Sequence, residues 1–224
     1  MTPYYQDDLV TLYHCDAREM LPSLVTDPAR TLVVTDPPWP GARVKIAGGG
    51  DEAVPLWREV SAMIPRLADR LVLHLGCMTD PRGMVDAVPL ALPFARVVYL
   101  RFNRPAYRGP HIGGDVAYVF GAIRRPPAAR VLPGELIAQP RDRWRGEHPC
   151  PRNIGHVDGM LRWYGHGADM VVEPFAGAGT TLRAARARGI RAIGCEVEER
   201  WCEETAEGLR VPWQPAGLDL EVRP

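Results

Sequence analysis

Residues 171–181 read Val-Val-Glu-Pro-Phe-Ala-Gly-Ala-Gly-Thr-Thr, and this stretch decides the fold class. Its valines end a short apolar pattern, Met170–Glu173, that is typical of a buried strand, and a helical pattern follows over Thr180–Arg188. Glycines between the two let the backbone approach a ligand closely, and a helix amino terminus offers free N–H groups. The stretch therefore predicts a strand, a ligand-binding turn and a helix.

The pattern after this helix predicts a second strand, Arg191–Glu196, that ends on a carboxylate. A carboxylate about 20 residues beyond such a turn is placed to accept hydrogen bonds from ribose hydroxyls. The Gly-x-Gly-x-x-Gly turn of dehydrogenases is absent, and no P-loop Gly-Lys-Ser/Thr follows. Those two classes of nucleotide-binding protein are excluded, while a purely structural strand-to-helix turn stays open.

The rest of the chain alternates β-branched runs with helix-like segments, which predicts an α/β sheet. The predicted strands are Leu9–Cys15, Thr31–Thr35, Leu71–Leu75, Arg96–Phe102, Asp115–Gly121, Met170–Glu173 and Arg191–Glu196. The predicted helices are Pro55–Leu67, Pro81–Val88, Ile154–Tyr164, Thr180–Arg188 and Glu198–Leu209. No helix-length segment separates the fourth and fifth strands, which favours an antiparallel pair at one edge of an otherwise parallel sheet.

Composition points to one ordinary globular domain. The 224 residues are 46% hydrophobic and 24% charged, and no apolar run is long enough to span a membrane. The amino terminus lacks the pattern of a signal peptide, the five cysteines lack zinc-site spacing, and no metal site is expected. We expect a cytoplasmic single domain with a catalytic half (9–123), a short basic insert (124–147), a cofactor half (148–210) and a tail (211–224).

Positive charge is concentrated in the middle of the chain, although the formal net charge is zero. Residues 96–152 hold eleven arginines and four acidic residues, a local net charge of +7. A basic segment with interleaved aromatics is typical of a surface that contacts phosphates, and a merely solvated face is the alternative. The candidate nucleic-acid contacts are Arg43, Lys45, Arg104, Arg108, Arg141, Arg143 and Arg145.

A second informative stretch, residues 36–40, reads Asp-Pro-Pro-Trp-Pro and follows the predicted strand Thr31–Thr35. Each proline fixes φ and lacks an N–H, so the stretch is a stiff turn at the carboxyl end of a strand, where open α/β sheets bind ligands. The Asp36 carboxylate and the Pro37 carbonyl can accept both hydrogens of an aromatic amine, while Trp39 stacks on the base. A proline-rich structural turn with a buried tryptophan is the alternative for these residues alone.

Four motifs together resemble the amino-methyltransferases that modify adenine N6 or cytosine N4. Residues 36–39 resemble that family's catalytic Asp/Asn/Ser-Pro-Pro-Tyr/Phe/Trp motif, and 173–181 resemble its Asp-Pro-Phe-x-Gly-Ser-Gly-Thr-Thr cofactor motif. Residues 148–153 are similar to its His-Pro-x-x-Lys-Pro segment, and 12–16 to its amino-terminal strand. With the catalytic motif first, the order is that of the circularly permuted class β.

The resemblance implies a seven-stranded Rossmann-like sheet, mostly parallel with one antiparallel edge strand and with helices on both faces. It implies S-adenosylmethionine as the cofactor and a catalytic turn formed by Asp36, Pro37, Pro38 and Trp39. The implied cofactor contacts are Asp16, Asp36, His148, Pro149, Glu173, Phe175, Gly177, Gly179, Thr180, Thr181 and Glu196. The chain departs from the family pattern at Glu173 (for aspartate), Ala178 (for serine) and Arg152-Asn153 (for Lys-Pro).

The expected activity is methylation of adenine N6 in DNA, on a base that is flipped out or single-stranded. Cytosine N4, adenosine in RNA, and a catalytically silent subunit that binds cofactor and nucleic acid are the alternatives. Only residues 124–147 are available as a target-recognition region, so recognition is expected to be short or relaxed. A monomer or a homodimer is expected, and Trp57, Trp163 and Trp201 are interpreted as packing residues.

Overall fold

The computed structural model of the chain describes residues 1–41, 46–76, 79–102, 106–108, 111–127, 129–138 and 146–215, with the backbone alone at 106–108, 111 and 112. Eleven strands occur in these ranges. They are β1 (Tyr5–Gln6), β2 (Val10–His14), β3 (Thr31–Thr35), β4 (Arg70–Gly76), β5 (Phe94–Arg101), β6 (Ala106–Arg108), β7 (His111–Gly113), β8 (Asp115–Gly121), β9 (Glu135–Ile137), β10 (Met170–Glu173) and β11 (Arg191–Glu196). Within the described ranges, no helix is long and apolar enough to cross a membrane.

Nine of these strands form one sheet in the order β1-β2-β11-β10-β3-β4-β8-β5-β9, and β6 and β7 form a separate antiparallel pair. Strands β2, β11, β10, β3 and β4 are mutually parallel. The predicted Rossmann-like α/β class is confirmed, and each of the seven predicted strands is present. The strand count is nine instead of seven, because the short strands β1 and β9 extend the two edges of the sheet.

The predicted antiparallel pair, β5 and β8, is present near one edge of the sheet, but the expected edge position of the antiparallel strand β8 is wrong. Strand β8 pairs antiparallel with β4 on one side and with β5 on the other. Both of its edges are therefore hydrogen-bonded, and β5 itself continues to β9 in a parallel pair. The chain runs from β4 through the helix Arg82–Asp86 to β5, which lies two positions away from β4 in the sheet. Strand β8, which comes later in the chain, occupies the position between β4 and β5.

Seven α-helices occur in the described ranges: α1 (Ala17–Ser23), α2 (Ala53–Ser61), α3 (Ile64–Leu67), α4 (Arg82–Asp86), α5 (Ile154–Tyr164), α6 (Thr180–Ala187) and α7 (Glu199–Arg210). The single helix predicted over Pro55–Leu67 is two helices. Pro65 lies at the start of α3, and it cannot continue a helix from the preceding turn because it lacks an N–H and clashes with the carbonyl four residues earlier. The helix α1 was not predicted from the sequence, and Asp16 caps it by accepting the Arg18 N–H at 2.8 Å.

The sheet separates two buried layers, as the predicted helices on both faces require. In β3, Leu32 and Val34 belong to the layer that includes α5, α6 and α7, while Val33 points into the layer formed by α1–α4. Trp57 is fully buried in the second layer, which confirms its interpretation as a packing residue. Because parallel strands end at one edge, the segments after β2, β3, β10 and β11 lie side by side there.

Candidate active site

A cavity of about 620 Å³ lies at the carboxyl ends of these four strands. It is lined by residues from both halves of the chain, so the predicted cofactor and catalytic motifs share one space. The predicted site residues that line it are Asp16, Asp36, Pro38, Trp39, His148, Pro149, Glu173, Phe175, Gly177, Thr180, Thr181 and Glu196. The cavity lining does not include Pro37 or Gly179.

The turn after β10 (residues 174–179, the cofactor turn) requires glycine at two positions. Gly177 and Gly179 have φ of +50° and +70°, a left-handed conformation that strains any other residue. A Cβ on Gly179 would also lie 2.5 Å from Cγ2 of Thr205 in α7. The Thr205 hydroxyl donates to the Gly177 carbonyl at 2.8 Å, so α7 supports the turn from behind.

The carboxyl group of Glu173 lies under this turn and forms hydrogen bonds with other groups of the protein. It accepts hydrogen bonds from the hydroxyls of Thr35 at 2.7 Å and Thr181 at 2.8 Å, and from the Phe175 N–H at 3.1 Å. Burial raises the pKa of Glu173 to about 8, so the side chain is largely protonated at neutral pH. Glu173 therefore connects the cofactor turn to Thr35, the last residue of β3.

The carboxylate of Glu196 faces the same turn from the end of β11. It accepts the Gly177 N–H at 2.9 Å and the Glu198 N–H at 2.8 Å, and burial raises its pKa. Asp16 is more open, with a side chain 27% exposed, and it pairs with Arg18 at 2.7 Å. The two carboxylates thus lie at the ends of adjacent parallel strands and both line the cavity.

The segment before α5 contributes His148 and is attached to α7. Glu204 accepts the N–H groups of Glu147 at 2.6 Å and His148 at 3.1 Å. The His148 ring packs edge-on against Trp201 at 4.7 Å between centroids, and burial lowers the pKa of His148. Trp201 also lines the cavity, a location that its interpretation as a packing residue missed. Its place in the first turn of the helix after Glu196 was the available signal.

The catalytic turn follows β3 directly. Pro37 and Pro38 are buried, while Asp36 and Trp39 are partly exposed at the cavity. Both oxygens of Asp36 accept hydrogen bonds from Arg152, one from Nε and the other from Nη2 at 2.5 Å. Cζ of the same guanidinium lies 5.5 Å from the centroid of the Trp39 ring. Sequence reasoning noted Arg152 only as a departure from the family lysine and missed this ion pair.

The predicted nucleic-acid contacts cannot be located. Arg43, Lys45, Arg104, Arg141, Arg143 and Arg145 lie outside the described residues, as does the side chain of Arg108. Their assignment stays a prediction.

Residues 127–207 match the family model N6_N4_Mtase, which is described as DNA methylase. This match supports the suspected family over residues 127–207. The match contains the cofactor motif and the His-Pro segment, and it begins well after the Asp36 turn, which it does not include. No curated protein sequence matches the chain.

Solved structures show the same fold. M1.HpyAVI in complex with S-adenosylmethionine is 18% identical, with a TM-score of 0.69 over 91% of this chain and 100% of that one. The PvuII DNA methyltransferase, which is cytosine-N4-specific, is 17% identical, with a TM-score of 0.70 over 92% and 88%. TTHA0409 of Thermus thermophilus, in complex with S-adenosyl-L-methionine, is 21% identical, with a TM-score of 0.63 over 88% and 92%. These similarities show the fold of the chain, and the family match covers its residues 127–207.

Proposed function

We propose that the protein transfers a methyl group from S-adenosylmethionine to the exocyclic amino group of adenine in DNA. The observation that carries this proposal is the shared cavity, where the Asp36 turn and the glycine turn after β10 face one another. A methyltransferase needs these two sites in contact, since the reacting atoms must meet within a few ångströms.

The residues around the glycine turn fit S-adenosylmethionine. The cavity volume of about 620 Å³ lies in the range of cofactor sites. Glu196 and Asp16 are acceptors for hydroxyl or amino groups, and Phe175 and Trp201 offer aromatic surface for an adenine ring. When bound, this cofactor supplies an electrophilic methyl group on a sulfonium. Among the remaining predicted contacts, we assign Gly177, Thr180 and His148 to the same site and Glu173 to the support of the turn.

The catalytic turn would orient the amino group of the base. An aromatic amine is a poor nucleophile because its lone pair is delocalised into the ring, and acceptors for both hydrogens favour a pyramidal nitrogen. Arg152 occupies one lone-pair site on each Asp36 oxygen, and each carboxylate oxygen has a second. Asp36 and the Pro37 carbonyl can therefore still accept the amino hydrogens, while Trp39 stacks on the base.

Adenine is preferred over cytosine because aspartate at position 36 resembles the adenine-specific members of the family. Cytosine N4 is the second candidate, since it presents the same amino geometry and the similar PvuII enzyme is cytosine-N4-specific. RNA is a further substrate to test. A silent subunit is disfavoured because Asp36, which such a subunit would not need, is present in the cavity.

The test is methyl transfer from labelled S-adenosylmethionine to unmethylated DNA, followed by digestion to nucleosides and mass spectrometry. We expect N6-methyladenine, and none with Asp36→Ala. N4-methylcytosine would retain the mechanism and change the base. An absence of product from DNA by a wild-type protein that binds S-adenosylhomocysteine would contradict the proposal and favour RNA or the silent subunit.

Three expectations stay predictions: the oligomeric state, monomer or homodimer, the cytoplasmic location, and the division into a catalytic and a cofactor half.

A further inference from the structure

Arg152 is a largely buried cation held between two carboxylates. Its guanidinium pairs with both oxygens of Asp36 on one side, and Nη1 lies 3.4 Å from Oδ2 of Asp115 on the other. The side chains of all three residues are at least 83% buried. A charge removed from water to this extent is stable only when it is paired, so the three groups constrain one another.

Asp115 is itself held in place by His74. It lies at the start of β8, between β4 and β5, and Nε2 of the buried His74 in β4 is 3.0 Å from its Oδ2. Burial alone would raise the pKa of Asp115, but the hydrogen bond with His74 and the charges of His74 and Arg152 hold it below its usual value. Asp115 is therefore an ionised anchor that belongs to the rigid interior of the sheet.

The backbone of Arg152 is fixed as well. Asn153 caps α5 by accepting the Gly155 N–H at 2.8 Å, and the Thr180 hydroxyl at the start of α6 lies 3.4 Å from the Arg152 carbonyl. The side chain thus starts from a defined point between the cofactor turn and the catalytic turn. Its two nitrogens can meet both oxygens of a carboxylate at once, which a lysine cannot do.

We propose that Arg152 is a positioning residue for methyl transfer, and that the Asp115–His74 pair holds Arg152 in place. The proposal rests on the function proposed above. An aspartate carboxylate can rotate about the single bond between Cβ and Cγ. The bidentate contact with Arg152 fixes the plane of the Asp36 carboxylate before a base enters. The free lone pair on each Asp36 oxygen then has a defined direction, which the incoming amino group can use.

A salt bridge with only a structural role makes a different prediction. Its loss would lower the stability of the protein and leave the turnover of the folded molecules unchanged. Arg188 offers a matched control for this possibility, since it pairs with Asp158 at 2.6 Å, its side chain is 20% exposed, and it is outside the cavity lining.

The experiment compares Arg152→Met, Arg152→Lys, Asp115→Asn and the control Arg188→Met. It measures kcat, the KM of S-adenosylmethionine, the dissociation constant of S-adenosylhomocysteine and the melting temperature. We expect Arg152→Met to lower kcat about 100-fold, the effect of a misplacement of about 1 Å, with cofactor binding unchanged. Arg152→Lys keeps the charge without the bidentate contact and should recover part of the rate. Asp115→Asn should lower kcat about tenfold, and Arg188→Met should lower only the melting temperature.

Equal kcat values for Arg152→Met and Arg188→Met would overturn the positioning role, as would a raised KM of the cofactor with kcat intact. A wild-type rate for Asp115→Asn would overturn the role of the Asp115–His74 pair. If Arg152→Met does not fold, the rates of Arg152→Lys and Asp115→Asn at unchanged melting temperature decide the question. A wild-type protein without methyl transfer to DNA or RNA is a different result, because it overturns the proposed function itself.

Discussion

The two turns of the cavity are built in different ways. The cofactor turn after β10 is held by near neighbours in sequence: Glu173 accepts from Thr181 eight residues away, and Glu196 accepts from Gly177 nineteen residues away. The catalytic turn after β3 is stiffened by its prolines, but its carboxylate is held by Arg152, 116 residues away. The cofactor turn is thus held mainly within residues 173–205, with Thr35 as a distant donor to Glu173, whereas the catalytic carboxylate depends on the assembled sheet.

The largest effect on stability should follow from Gly179→Ala in the cofactor turn. The left-handed φ of +70° alone costs about 1–2 kcal/mol, and the clash with Thr205 should add about 1–3 kcal/mol. Gly189→Ala is the matched control, because its φ is +69° and its Cβ would meet no atom within 4 Å. Urea unfolding measures both variants. Equal losses would contradict the role of α7 as the support of the turn.

Glu196→Gln should separate binding from turnover. The substitution replaces one carboxylate oxygen of residue 196 by an NH2 group, which cannot accept the N–H of Gly177 or Glu198. The loss of a hydrogen bond to a charged group costs about 1.5–3 kcal/mol. We expect the KM of S-adenosylmethionine to rise roughly 10- to 100-fold, with kcat at saturation unchanged. Steady-state kinetics test this, with Glu207→Gln on the exposed side of α7 as the control. A fall in kcat at constant KM would show that the two turns are not separable.

A separate effect concerns pH. Since burial raises the pKa of Glu173 to about 8, the folded protein retains a proton that the unfolded chain releases near pH 4.5. Stability should therefore fall as the pH rises from about 5 to 8. Glu173→Gln cannot ionise and should flatten this dependence, and each 1 kcal/mol corresponds to roughly 2–4 °C in a domain of this size. Melting temperatures of both proteins across this range test the idea, and parallel curves would contradict it.

The regular elements were largely predictable. Strands β3, β8, β10 and β11 and helix α5 have the bounds expected from their patterns, because each is a continuous run of suitable residues with a clear end. The three-residue strand β9 was missed within the predicted insert 124–147, since its pairing with β5 is a tertiary property that prolines on both sides conceal. The position of β8 was wrong for the same reason, because strand order is absent from local patterns.

The candidate site was predictable as a set of residues but incomplete in its contacts. The glycine turn, Glu196 and the Asp36 turn follow from local chemistry and from the family resemblance, and the structure brings them to one cavity. The pair of Arg152 with Asp36 could not be predicted, because it depends on how β3 and the start of α5 meet in space. The one signal for the cavity position of Trp201 was its place in the first turn of α7, and a helix start does not reveal which way a side chain points.

The central claim is that one turn binds the cofactor and the other performs the transfer, and Asp36→Ala tests it most directly. Calorimetry with S-adenosylhomocysteine and the rate of methyl transfer to DNA are measured on the same preparation, beside the wild type. We expect the rate to fall by at least about 100-fold, as for the loss of a group that stabilises the transition state, with the dissociation constant unchanged. A variant that still methylates at the wild-type rate, or that loses cofactor binding together with activity, would contradict the account.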